Sequence, residues 1–259
     1  MEMQMIKLDN PYSMFSLEDK VAIVTGGNGM LGKEFVKTLS DAGATVFIFD
    51  IINGIDITDK KQVSERIKKI VNEHGNVDIL INNAALNPRV GSEAEEIDKF
   101  QFGPYEDYPE ELWNKEIAVG LTGAQICIQE TAKTMMKKKN GVVVNISSEY
   151  GVVAPNNDVY EEGCFKSIAY PTVKSAILGL TRGWAGYLAP YGIRVNTLVP
   201  GGVFAGQDES FVEKNRKLNM LGRMASKDEY NGAILFLCSE ASSFMTGSML
   251  VVDGGRTAW

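Results

Sequence analysis

Short apolar runs rich in β-branched residues alternate along the chain with longer segments whose apolar positions recur every three or four residues. Val21-Ala22-Ile23-Val24-Thr25 reads as a buried strand ending on Gly26-Gly27. Further strands are predicted over 45–50, 77–82, 141–146, 193–199 and 249–253. Helices are predicted over 31–42 (closed by Gly43), around Val63, Ile67, Ile70 and Val71, as one long element over 110–137, and over 227–238. Another carries the stripe Val173, Ala176, Leu180, Trp184 and Tyr187, read as its buried face. Strands alternating with helices call for an α/β fold, a doubly wound, mostly parallel Rossmann-type sheet with helices on both faces. One connection is too short for this scheme. Asp56 follows Asp50 by six residues, whereas a parallel crossover needs a dozen or more, so the third edge strand is expected to be short or absent. With no repeat, linker or low-complexity tract, the organisation expected is an N-terminal arm over 1–16 and a single domain over 17–259.

Composition narrows the partners. The 259 residues carry a net charge of −7, which argues against a nucleic-acid or anionic-membrane footprint. Cys127, Cys164 and Cys238 form no C-x-x-C pair, a usage expected of reduced thiols in a reducing compartment. No apolar run reaches membrane-spanning length, and the first fifteen residues lack the continuous apolar core of a signal peptide. The location expected is the cytoplasm. The only histidine, His74, precedes Gly75 at a predicted helix end and reads as a partner of the helix dipole. No metal site is expected.

Two places carry chemistry. The first strand runs through Gly26, Gly27, Asn28, Gly29, Met30, Leu31 and Gly32 into a helix. Glycines at such a turn let the backbone approach a pyrophosphate, which the helix N-terminus attracts. Asp50 ends the second strand, 24 residues after Gly26, where a carboxylate can accept both ribose hydroxyls. It also repels a 2′-phosphate, and Ile51-Ile52-Asn53 brings no cation to hold one. This selects NAD over NADP. At the other place, Tyr170 and Lys174 stand four residues apart, on one helix face. A nearby cation lowers a phenol's pKa, making it a usable proton donor and acceptor. Ser147 and Ser148 end a strand, where a hydroxyl can reach the cleft.

In this order the pieces resemble the short-chain dehydrogenase/reductase family over nearly the whole chain. They are Thr25 to Gly32, Asp56-Ile57, Asn82-Asn83-Ala84-Ala85, Asn145 to Ser148, Tyr170 to Lys174, Arg194-Val195-Asn196, Pro200-Gly201 and Val252 to Gly255. The resemblance implies that Tyr170 is the general acid/base, that Lys174 binds the nicotinamide ribose and depresses the tyrosine pKa, and that Ser148 orients the substrate oxygen. It implies cofactor contacts from Gly26, Asn28, Gly29, Met30, Leu31, Asp50 and Ile146 and from Tyr170 and Lys174 themselves. Asp56 and Ile57 would meet the adenine, Asn83, Ala84 and Ala85 the ribose, and Pro200, Gly201 and Val203 the nicotinamide. Residues 204–219 resemble the family's mobile substrate lid, and a homotetramer or homodimer is implied. That assembly also fits the long helix, on which Ile177, Leu178, Thr181 and Ala185 read as a second apolar side.

Three departures stand out. Met30 takes the place of the middle glycine of the family's turn. Gly120 takes that of an asparagine that holds a proton-relay water. Ser148 and Tyr170 are 22 residues apart, a longer spacing than usual, which puts an insertion over 153–167; another lies over 86–110. Residues 170–206 and the last six residues also resemble bacterial flagellin-modification oxidoreductases, which favours a sugar or sugar phosphate as substrate, with Arg89 and Lys166 as anchors for an anion. The reading is an NAD-dependent oxidoreductase acting on a secondary alcohol or ketone. An epimerase or dehydratase using transient oxidation, and a non-catalytic NAD-binding protein, stay open beside it.

Overall fold

The computed structural model describes residues 10–87 and 102–259. Six parallel strands form one sheet: β1 (Val21–Thr25), β2 (Thr45–Phe49), β3 (Ile79–Asn82), β4 (Gly141–Ile146), β5 (Ile193–Pro200) and β6 (Met249–Val252). Their order is β2-β1-β3-β4-β5-β6. Alternate residues of the central strands serve opposite faces. Val21 and Ile23 join one apolar core, and Ala22 and Val24 the other. Helices α1 (Met30–Asp41) and α7 (Asn231–Cys238) cover the second face. The first is covered by α2 (Lys60–His74), α4 (Gly123–Lys138) and α5 (Ala169–Leu188). The doubly wound expectation holds. So does the missing edge strand: a 3-10 turn over Ile51–Asn53 stands after β2, and the sheet ends there.

Other expectations are corrected. The long helix over 110–137 is α3 (Glu110–Ile117), a π turn over Ala118–Thr122 and then α4. The π turn closes where the Gly123 N–H reaches back to Ala118 O, a widening that often marks functional sites. On α5 the expected stripe holds in part: Val173 is buried and Leu180 and Trp184 pack against the core. The buried face is Val173, Lys174, Ile177, Leu178, Thr181, Ala185 and Leu188, whereas Tyr187 is 59% exposed. The helix packs on the sheet and also on the π turn and α4, so it is apolar on more than one side and the sequence period does not single out the sheet-facing one. It follows that Ile177, Leu178, Thr181 and Ala185 are core residues and not a free surface. The outer face instead presents Gly179, Gly183, Gly186 and Tyr187, flanked by Trp184.

His74 does close α2, followed by Gly75 in the left-handed conformation, and its ring meets Phe47 edge-on. Cys127, Cys164 and Cys238 are free thiols. Burial pushes the Cys127 and Cys238 thiols up to about 12. Among the described residues no helix is long and apolar enough to cross a membrane.

Candidate active site

The chain leaves β1 for β2 on one side and returns to β3 on the other, so a crevice opens at the carboxyl ends of these strands. Its floor is the glycine turn. A Cβ at Gly26 would stand 2.8 Å from the Ala84 backbone, and one at Gly32 only 2.1 Å from Gly26 O. Gly26 is also left-handed, at φ 62°. These two positions are closed to any side chain. Gly29 caps α1 without a side-chain bond, leaving first-turn N–H groups for an anion. Met30, 43% exposed, begins the helix itself and does not fill the turn.

Asp50 stands at the tip of β2. Its carboxylate accepts the N–H of Asn28 at 3.0 Å and of Ile52 at 3.1 Å. These bonds lock it beside the glycine turn while lone pairs remain on both oxygens. Asn28 also bonds Asn53 side chain to side chain. Asp56 accepts both the N–H and the hydroxyl of Thr58, at 2.8 and 2.7 Å. The Ile57 side chain is 6% exposed and packs where Gly123 has no Cβ.

Asn83 is held by the glycine turn. Its side-chain amide donates to Thr25 O and Gly26 O, both at 3.0 Å, and the N–H groups of Asn83 and Ala84 donate to Thr25 Oγ1. It fastens the end of β3 to the glycine turn. A second polar chain was not foreseen at all. Asn82 bonds Asn145 at 2.8 Å, Asn145 bonds Thr181 at 2.9 Å, and Thr181 bonds Thr197 at 2.7 Å. These four buried residues tie β3, β4, α5 and β5 together under the crevice. The one signal for them was a polar residue interrupting each apolar strand.

At the end of β4 the two serines divide. Ser147 Oγ donates to Lys174 O at 2.7 Å and is structural. Ser148 begins a 3-10 turn, where its oxygen accepts the Tyr150 N–H at 3.2 Å, and it lies near enough to the Tyr170 phenol to draw its pKa down. Lys174, 5% exposed, donates to Ile146 O at 2.9 Å. Ser148, Tyr170 and Lys174 therefore meet, as expected. Their protonation differs from the expectation. Burial pushes the Tyr170 phenol up to about 12 and brings the Lys174 ammonium down to about 8. In the protein alone, desolvation outweighs the neighbouring cation.

A Cβ at Gly120, in the π turn, would lie 2.6 Å from Val173 Cγ1. Beyond β5, the Gly201 N–H bonds Val252 O at 3.0 Å and its carbonyl accepts the Tyr230 hydroxyl at 3.1 Å. Val203 forms a bridge with Ala225. The segment that follows contains α6 (Glu209–Arg216). Its Phe211 ring lies 5.6 Å from Tyr160, which lies 5.5 Å from Phe102. Segments 204–219 and 153–167 thus meet Phe102 in one apolar cluster. Lys166 lies in the latter segment, with its Nζ 4.2 Å from the Tyr170 ring centre. Arg89 lies outside the described residues.

A doubly wound parallel sheet, a glycine cradle with a carboxylate across it, and a Ser-Tyr-Lys group on the facing wall define a nucleotide-dependent oxidoreductase. Comparison with known proteins agrees. A family model described as enoyl-(acyl carrier protein) reductase matches residues 20–257. The 3-oxoacyl-[acyl-carrier-protein] reductase of Thermotoga maritima is 29% identical over 92% of this chain and 98% of its own. An NAD-dependent glycerol dehydrogenase of Listeria innocua is 31% identical over 94% of this chain and 96% of its own. A short-chain dehydrogenase of Leptospira borgpetersenii, solved with bound NAD+, superposes with a TM-score of 0.85 at 30% identity, covering 99% of both chains. The chain belongs to the short-chain dehydrogenase/reductase family. It is an oxidoreductase that uses a nicotinamide cofactor and a small-molecule substrate.

Proposed function

We propose that the protein is an NAD-dependent dehydrogenase or reductase of a secondary alcohol or ketone carried by a sugar or sugar phosphate. The grouping of Ser148, Tyr170 and Lys174 at the crevice carries this reading. The glycine cradle at Gly26, Gly29 and Gly32, the open start of α1 and Asp50 fit a dinucleotide. Asn28, Met30 and Leu31 line its pyrophosphate, Asp50 its adenosine ribose, and Asp56 with the Ile57 backbone its adenine. Ala84 and Ala85 run along the sugar. Ile146, Pro200, Gly201 and Val203 frame the nicotinamide, which supplies the hydride. Asp50 in place of a cation favours NAD, and both a relative and a structural neighbour are named with it.

The chain's own residues handle the proton. Ser148 holds the substrate oxygen, and Tyr170 gives its phenolic proton to that oxygen in reduction or takes it in oxidation. Lys174 lowers the cost of the phenolate. Arg89 and Lys166 are anchors for an anionic group, and the reaction belongs in the cytoplasm. A homodimer or homotetramer forms across the outer face of α5.

Reduced-nicotinamide absorbance, read over a panel of polyols and keto sugars, tests the reading. Tyr170→Phe is expected to lower turnover by about a hundredfold or more while NADH binding holds. Calorimetry is expected to show NADH bound more tightly than NADPH, with Asp50→Ala narrowing the gap by about tenfold or more, the worth of a charge-assisted bond. Near-native turnover in Tyr170→Phe would refute the proton assignment, and equal wild-type affinities the cofactor assignment.

A further inference from the structure

Two lysines, not one, approach the Tyr170 ring. Lys174 Nζ is 5.5 Å from its centre, and Lys166 Nζ is nearer, at 4.2 Å. Lys166 is 5% exposed. Its place is fixed on two sides: its ammonium donates to Asn87 Oδ1 at 2.6 Å, and its backbone N–H donates to Asn157 Oδ1 at 3.0 Å. Next in the chain, Ser167 donates to the Glu116 carboxylate at 2.9 Å and accepts the Tyr170 N–H at 3.3 Å. Glu116 is 2% exposed and also accepts the Tyr108 hydroxyl. A buried cation and a buried anion, from different segments, therefore flank the residue that carries the proton.

We propose that Lys166 is a second cation for the Tyr170 phenolate, a positioning residue that acts through the face of the ring, with Glu116 as the buried acid that keeps it charged. The proposal rests on Tyr170 being the acid/base. A ring face attracts a cation, and a ring bearing a full negative charge attracts it more, so the cation favours phenolate over phenol. The need is plain: burial first, with the neighbouring Tyr150, Glu149 and Glu116 adding to it, pushes the phenol up to about 12. Lys166 is itself brought down to about 8 by burial, against which the Glu116 charge works. Its support is therefore present at neutral pH and fades in alkali.

The other groups facing Tyr170 are accounted for. Ser148 favours the phenolate. The charges of Glu149 and Glu116 and the Tyr150 phenol oppose it. Tyr150 meets the ring edge-on at 6.5 Å. Glu116 accepts from Ser167 and Tyr108, while the Lys166 ammonium stands 4.2 Å from the centre of the Tyr170 ring. Lys174 receives no side chain from position 120, where Val173 fills the space. Phenolate support comes in its place from the Lys166 side.

The test is a pH titration of NAD+-saturated protein labelled at the tyrosine ζ-carbon, with the Tyr170 resonance assigned by its loss in Tyr170→Phe. Lys166→Met is expected to raise the Tyr170 midpoint by about one pH unit, a tenfold loss of phenolate at a given pH. Lys166→Gln is expected to do the same, and Lys166→Arg to return most of the shift. The limb of kcat/KM that rises with pH, for an uncharged polyol substrate, moves with it. An unmoved midpoint in folded Lys166→Met and Lys166→Gln overturns the proposal. So does a change confined to KM for anionic substrates, which would make Lys166 an anchor alone. Near-native turnover in Tyr170→Phe removes instead the reading on which the proposal rests.

Discussion

At residue scale the position to watch is Gly120. The family resemblance sets an asparagine there, and its return would be a small change if the site were roomy. The packing says otherwise, since a first side-chain atom would stand 2.6 Å from Val173 Cγ1, and a β-branched neighbour on a helix has little freedom to turn aside. Gly120→Asn is therefore expected to destabilise the fold by about 1–3 kcal/mol through overpacking. Adding Val173→Ala should recover much of that loss, a non-additivity above about 1 kcal/mol between contacting sites. Denaturant melts of the two single variants and the double read this directly, and strict additivity would rule it out. The contrast with Ser148, Tyr170 and Lys174 shows what sequence can and cannot carry. Those three were legible because four residues on a helix and the end of a strand fix where they point. Gly120 and Val173 are 53 positions apart, and their contact exists only once α5 lies on the π turn. The same reason hid Glu116, whose partners Tyr108 and Ser167 come from either side of it in the chain.

At element scale, α5 decides most of the site and was half read. Its length and its Tyr170–Lys174 face were plain, while its sheet-facing side was not, because three neighbours make apolar residues useful nearly all round. Once Ile177, Leu178, Thr181 and Ala185 are in the core, association must use what remains outside. Tyr187, at 59% exposure, lies 5.8 Å from Trp184 and 6.4 Å from Tyr191 in an aromatic ridge, with Gly179, Gly183 and Gly186 allowing close approach beside it. Light scattering at micromolar concentration is expected to give a dimer or tetramer, and Tyr187→Glu to give a smaller species, since a carboxylate buried without a partner is costly. A wild-type monomer would contradict the assembly. The π turn between α3 and α4 had no sequence signature, because its residues are helix formers on either side and only the hydrogen-bond step changes.

At the scale of the whole molecule, Glu149 links the end of β4 to the C-terminal segment. It is 4% exposed, and its Oε2 has no hydrogen-bond partner among the described residues. Burial, with Asp253 adding to it and Arg256 opposing, pushes its carboxyl up to about 7. Unfolded, the same group titrates near its ordinary value of 4.5. Between these values the folded chain keeps a proton that the unfolded chain releases, so stability is fullest below about 4.5 and falls as pH rises through about 7, by on the order of 3 kcal/mol. Glu149→Gln is expected to flatten that fall. Calorimetric Tm values at pH 5 and pH 8 should converge in the variant, and an unchanged difference would refute the assignment. The fold as a whole was the most legible level. Alternating strands and helices gave the sheet, and the five residues between Asp50 and Asp56 gave its missing strand. The apolar cluster of Phe102, Tyr160 and Phe211 was not legible, since it joins two loops to the short α6 across the chain. The missing strand also bears on how the protein fails. It leaves Thr45–Phe49 as an edge with one row of backbone donors and acceptors free of sheet partners. Its sequence, Thr-Val-Phe-Ile-Phe, carries neither proline nor charge and suits pairing with a second partly melted copy. Heating is therefore expected to end in insoluble material and not in a reversible coil, and nucleotide bound in the crevice at Asp50, just past that strand, to reduce it.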